Sequence, residues 1–157
     1  MTLTHKHLIV IAAGGSAVLL LGAFAFQHLG GMAPCKLCLW QRWPHGAAAL
    51  IGVLALLWGA GAAALAWAGA LAAAATGVIG VYHTGVERGW WQGPDTCTAG
   101  PVAGQSPDAL FDQIMNAPLV RCDEVPWEMF GLSMASWNAV IAFALAAIWV
   151  MAARRAP

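Results

Sequence analysis

Two cysteines separated by two residues, Cys35 and Cys38 in "PCKLCLWQR" (34–42), are the first residues here whose type and spacing can do chemistry. Such a pair can clip a metal, tether a haem, close a structural disulfide or work as a redox dithiol. A c-type haem tether needs histidine directly after the second cysteine; Leu39 stands there. A structural zinc site usually adds a second close pair. The other two cysteines, Cys97 and Cys122, lie 25 positions apart, so no metal is expected. Two inert disulfides and a working dithiol remain.

The neighbours bear on that choice. Pro34 suits a helix start. A helix beginning there puts Cys35 and Cys38 on one face at i, i+3, and Cys38 and Arg42 at i, i+4. A helix N-terminus and a guanidinium both favour thiolate, the nucleophilic form of cysteine. Arg42 can equally snorkel to a polar headgroup.

The elements that must position these residues are set by composition. The 157-residue chain is 61% hydrophobic and 9% charged, where a soluble domain carries about 25% charged residues. Net charge is zero, so nucleic-acid binding has no electrostatic basis. A bilayer crossing takes about 20 apolar residues. Leu8 to Phe26 is one such run and Leu132 to Met151 another, while no Asp, Glu, Lys or Arg occurs from 45 to 86, a length that suits two crossings. The expectation is a single integral membrane domain (1–157). It is an all-α, four-transmembrane-helix bundle with spans near 8–26, 45–60, 64–83 and 132–151. The first span has signal-peptide features around Ala23-Phe24-Ala25, but its apolar run exceeds the usual 7–15 residues, so it is read as a retained span.

Lys6 before the first span, and Arg154 and Arg155 after the last, place both termini in the cytoplasm by the positive-inside rule. Loops 27–44 and 84–131 then face outward, with all four cysteines. Thiols on an oxidising side are expected as disulfides or redox dithiols. All seven acids fall between Glu87 and Glu128, which marks 84–131 as a wet loop. Within it Ser106, Pro107 and Asp108 form a helix start, and Leu110, Phe111, Ile114 and Met115 form an apolar stripe. A short helix at the membrane surface is expected there. Trp40, Trp43, Trp90, Trp91 and Trp127 read as interface anchors.

A membrane dithiol must pass its electrons on, and the chain has no haem, flavin or nucleotide motif. A lipid-soluble quinone, reached laterally through the bilayer, is the natural acceptor. Arg42 could stabilise its ring oxygens, and His83, at the outer end of span three, could supply a hydrogen bond or proton. His28 and His45 share that ambiguity with less to recommend them.

Three segments carry a family resemblance: "PCKLCLWQR" (34–42), "YHTGVERGWWQGPDTC" (82–97) and "VRCDEVPWEMFGLSMASWN" (120–138). With the four expected spans, the chain resembles the bacterial disulfide-bond formation protein B (DsbB) family over nearly its whole length. The resemblance implies an inner-membrane thiol oxidase that reoxidises a periplasmic DsbA-like dithiol protein and reduces ubiquinone or menaquinone. It implies that Cys35 and Cys38 form the quinone-proximal pair, with Cys38 engaging the quinone beside Arg42. Cys97 would meet the soluble partner and Cys122 would be its mate, with exchange running through Cys35 and Cys122. His83 falls in the segment the family places near the quinone, and Gln41 stands where some members carry an acid. A vitamin K epoxide reductase-like enzyme would run related chemistry in a different cysteine order, and a membrane protein with purely structural disulfides is the non-enzymatic alternative.

Overall fold

The computed structural model describes residues 3–58, 61–94, 106–108, 111 and 120–156. Four long helices make up most of it: α1 (His5–His28), α2 (Lys36–Leu57), α3 (Ala62–Glu87) and α4 (Met134–Arg154). Between α3 and α4 lie two short antiparallel strands, β1 (Glu128–Met129) and β2 (Leu132–Ser133), paired Glu128 to Ser133 and Met129 to Leu132. The helical class is as expected. The hairpin is an addition to the all-α reading, and its origin is local. Phe130 and Gly131 both take positive φ, 54° and 73°, as a two-residue hairpin turn requires. The expected helix after Ser106 falls largely outside the described residues.

The helix starts have identifiable caps. Thr4 and His7 form a reciprocal capping box on α1, and the Ser133 hydroxyl accepts the Ser136 amide on α4. Gly61 opens α3 at φ +88°, a conformation that glycine adopts without steric cost. On α2 the cap is a sulfur: Cys35 Sγ accepts the Cys38 amide at 3.2 Å. Pro44 inside α2 lacks the N–H that would continue the ladder, a loss that membrane helices tolerate.

The core is made of small residues and the outside of large ones. Ala12, Ala66, Ala70, Ala73 and Ala146 are buried around a fully buried Trp149, whereas Val18, Leu21, Leu71 and Val140 are exposed. Large apolar side chains turned outward suit lipid, and small ones inside let helix backbones approach closely. α1, α3 and α4 are each long and apolar enough to cross a membrane. α2 is more polar at its start, where it carries Lys36, Gln41, Arg42 and His45. The far end of the bundle is pinned by His5 Nδ1 against the Ala152 carbonyl at 2.7 Å and by Arg155 Nη1 donating to the Leu3 carbonyl at 2.7 Å.

Gly69 shows how tight the core is. A β-carbon there would lie 2.7 Å from the Trp149 indole, whereas one at Gly14 would meet nothing within 4 Å. Overpacking costs about 1–3 kcal/mol, while alanine in place of an exposed helical glycine gains up to about 1 kcal/mol. Thermal unfolding in detergent should therefore show Gly69→Ala melting several degrees below the parent and Gly14→Ala at or above it.

Candidate functional site

The site gathers where the start of α2, the end of α3 and the segment before the hairpin meet. Cys35 caps α2, and Cys38 lies one turn on. The turn brings the two sulfurs to 3.0 Å, with Cys35 Sγ–H donating to Cys38 Sγ. Two influences compete at Cys35. The hydrogen bond to the Cys38 sulfur and burial push its thiol well above the ordinary range, while the Cys38 amide pulls it down. The upward push is the larger, so the proton stays on Cys35 and the negative charge of the pair falls to Cys38. That sulfur sits in the first turn of a helix, where positive dipole ends favour an anion.

Arg42 follows one turn after Cys38, close enough for its charge to act on that sulfur. Its hydrogen bonds run elsewhere, to α1: Nη1 donates to Gln27 Oε1 at 2.5 Å and Nη2 to the Ala23 carbonyl at 3.3 Å. The guanidinium also lies over the Phe24 ring, 4.9 Å from its centroid. Its Nε–H is buried with no hydrogen-bond partner among the described residues.

His83 stands on the other side of the pair. Its Nε2 is 3.5 Å from Cys35 Sγ and 3.9 Å from Glu87 Oε1. Its Nδ1 is 3.0 Å from Gln41 Nε2. Glu87 accepts in turn from the Ser133 hydroxyl, which ties α3 to the hairpin and α4. The ligating atoms of Cys35, Cys38 and His83 lie within 4.8 Å of one another, a trio that could also grip a soft metal ion.

Cys122 completes the cluster. It is buried with Cys35, Leu37 and Val86, and Cys38, Tyr82 and Val120 pack against that group. The neighbouring Arg121 hydrogen-bonds Asp123 through two nitrogens and holds that exposed carboxyl below the usual carboxylate range. Trp91 walls the same end: its indole donates to the Tyr82 carbonyl at 2.7 Å, and the two rings stack. Gly85 makes room for it, since a β-carbon there would lie 2.0 Å from the indole.

Of the residues singled out in the sequence, Cys35, Cys38, His83 and Cys122 come together. Arg42 is adjacent but anchored on α1, and Cys97 lies outside the described residues. Gln41, Asn138, Thr76 and His45 were missed as a group. Gln41 donates to the Leu37 carbonyl and meets His83, Asn138 joins Gln41 at 2.7 Å, and His45 joins Asn138 at 2.8 Å. Their signal was available, because polar side chains inside membrane helices are costly and usually mark function.

Comparison with known proteins gives the chain its family. The family model for the disulfide bond formation protein DsbB matches residues 5–152. A disulfide bond formation protein B of Stutzerimonas stutzeri is 31% identical over 165 residues, covering 95% of this chain and 96% of that protein. One from Azoarcus sp. is 30% identical, covering 88% and 87%, and one from Pasteurella multocida is 34% identical, covering 83% and 75%. No solved structure matches the chain. With a partly buried dithiol at the end of an apolar helical bundle and this match over nearly its full length, the chain belongs to the DsbB family and is a membrane protein-disulfide oxidoreductase.

Proposed function

We propose that the protein reoxidises a periplasmic DsbA-like dithiol and passes the electrons through two cysteine pairs to a membrane quinone. In this reading α2 is the fourth span, both termini are cytoplasmic, and the cysteine end of the bundle faces the periplasm of a bacterial inner membrane. The observation that carries it is the burial of Cys122 against Cys35, which brings the distant loop cysteine to the C-x-x-C pair.

The relay is two net thiol–disulfide exchanges, each made of two displacements. A thiolate of the partner attacks Cys97 of a Cys97–Cys122 disulfide, and Cys122 leaves with the electron pair. Cys122 thiolate attacks Cys35 of a Cys35–Cys38 disulfide, so the Cys35–Cys122 bond forms and Cys38 leaves as thiolate. Cys38 is suited to leaving, because a sulfur whose charge is stabilised departs faster. The second partner thiol then attacks the partner–Cys97 bond, which releases the oxidised partner and a Cys97 thiolate. Cys97 thiolate attacks Cys122, restores the Cys97–Cys122 disulfide and leaves Cys35 reduced. The partner loses two electrons and two protons, and the Cys35–Cys38 pair gains them.

A bound quinone supplies the terminal two-electron, two-proton acceptor. The residues here fit such a group: the buried Nε–H of Arg42 is a cationic donor with no acceptor among the described residues, and Phe24 adds an aromatic wall beside it. Arg42 would hold a quinone oxygen, and Cys38 would face the ring. Whether that ring is ubiquinone or menaquinone is answered by the lipid that co-purifies.

Three variants test the scheme. Cys38→Ser should abolish quinone reduction by a reduced donor protein, measured as loss of quinone absorbance; turnover at the parent rate would sink the relay. Cys122→Ser should stop oxidation of the protein donor while small dithiols still drive quinone reduction through Cys35 and Cys38. A charged hydrogen bond is worth about 1.5–3 kcal/mol, and about 1.4 kcal/mol is tenfold. Arg42→Ala should therefore raise KM for quinone by about tenfold or more, with a smaller change in KM for the donor.

A further inference from the structure

The polar side chains buried between α2, α3 and α4 form one line of hydrogen bonds that ends at a reactive sulfur. His45 Nε2 lies 2.8 Å from Asn138 Oδ1, and Asn138 Nδ2 lies 2.7 Å from Gln41 Oε1. Gln41 Nε2 then lies 3.0 Å from His83 Nδ1, and His83 Nε2 lies 3.5 Å from Cys35 Sγ. A primary amide has one donating end and one accepting end. Two amides in series therefore transmit a direction from the first imidazole to the last.

The backbone fixes which direction. Gln41 Nε2 also faces the Leu37 carbonyl at 3.1 Å, and only the amide NH₂ can satisfy a carbonyl. Asn138 Nδ2 faces the Thr76 carbonyl at 3.4 Å. The Thr76 hydroxyl spends its proton on the Gln41 carbonyl at 3.0 Å, so it can only accept from Asn138 at 3.3 Å. Both amides thus point their NH₂ groups the same way along the line. His45 must donate through Nε2, which leaves its Nδ1 a bare lone pair; that atom is buried and has no hydrogen-bond partner among the described residues. Buried orphan acceptors are less rare than buried orphan N–H groups. At the other end His83 must accept at Nδ1, so its proton sits on Nε2. That N–H faces the Cys35 sulfur and the Glu87 carboxylate, and the ring also meets the Cys122 backbone carbonyl, so every group on that side is an acceptor.

We propose that Gln41, Asn138 and His45 are positioning residues that lock His83 in the Nε2–H tautomer and aim its N–H at Cys35. The inference rests on the relay above. In its last exchange Cys97 thiolate attacks Cys122, the Cys35–Cys122 bond breaks, and Cys35 takes the electron pair. The His83 N–H hydrogen-bonds that departing thiolate. The opposite tautomer would present a lone pair to the same sulfur and oppose its departure.

The test is ¹⁵N NMR of the reduced full-length protein, labelled at histidine, in detergent micelles. The wild-type His83 ring should show a bare Nδ1 and a protonated Nε2. A protonated Nδ1 in the neutral ring overturns the proposal before any variant is made. Gln41→Leu removes the donor at His83 Nδ1, so both His83 tautomers should appear. Alkylation of Cys35 by iodoacetamide in a Cys38→Ser background, where no second sulfur takes the charge, should slow about tenfold when Gln41→Leu is added, read by peptide mass spectrometry; that is the worth of one hydrogen bond to a thiolate. A Gln41→Leu protein that keeps the single Nε2–H signal, and whose Cys35 keeps its alkylation rate in the Cys38→Ser background, also overturns it. Neither readout needs quinone or donor, so failure here removes the tautomer lock alone, and the oxidase reading stands or falls on Cys38→Ser.

Discussion

Close approach between helices is the constraint on which the rest of this molecule depends. Lipid tails are as apolar as leucine, so the bundle gains little from hiding large apolar side chains and must cohere through backbone proximity and a few internal polar contacts. Gly69 and a ring of alanines accept Trp149 in the core, and Gly85 admits Trp91 at the cysteine end. This packing brings the start of α2 and the end of α3 near enough for a sulfur on one to meet an imidazole on the other. A bulkier bundle would hold the same residues too far apart to interact.

The polar groups inside the bundle divide into two sets. One set runs from Glu87 through Ser133 and Ser136 to Thr84, with hydroxyl contacts of 3.0 Å. It fastens the hairpin and α4 to α3. The other runs through Gln41 and Asn138 to His83 and the cysteines. Each satisfies groups that the apolar surroundings would otherwise leave unpaired, at a cost of several kcal/mol each.

Much of this could be read in the chain before its structure. The apolar runs and the charge-free stretch from 45 to 86 announced long helices, and Cys35, Cys38 and Arg42 announced a sulfur site at a helix start. The helices are longer than the apolar runs: α2 begins at Lys36 and α3 continues to Glu87. Hydropathy measures what lipid accepts, whereas backbone hydrogen bonding continues past it. Arg42 was read through its sequence distance from Cys38. Its hydrogen bonds instead go to Gln27 and Ala23 on α1, partners that only tertiary packing supplies. The members of the line from His45 to His83 could each be marked as polar residues in apolar helices, but their connection was illegible, since they come from three helices and are up to 97 positions apart. The Phe130–Gly131 turn was locally encoded but short enough to pass as loop.

The sulfur cap of α2 has a consequence of its own. Most helices are capped by an oxygen whose chemistry never changes. Here the atom that accepts a free amide of the first turn is one that, in the proposed relay, also gains and loses a covalent partner. As a thiolate it is a strong acceptor for that amide, and as half of a disulfide it is a weak one. In the proposed relay the cap of α2 therefore changes strength with the oxidation state of the atom that makes it.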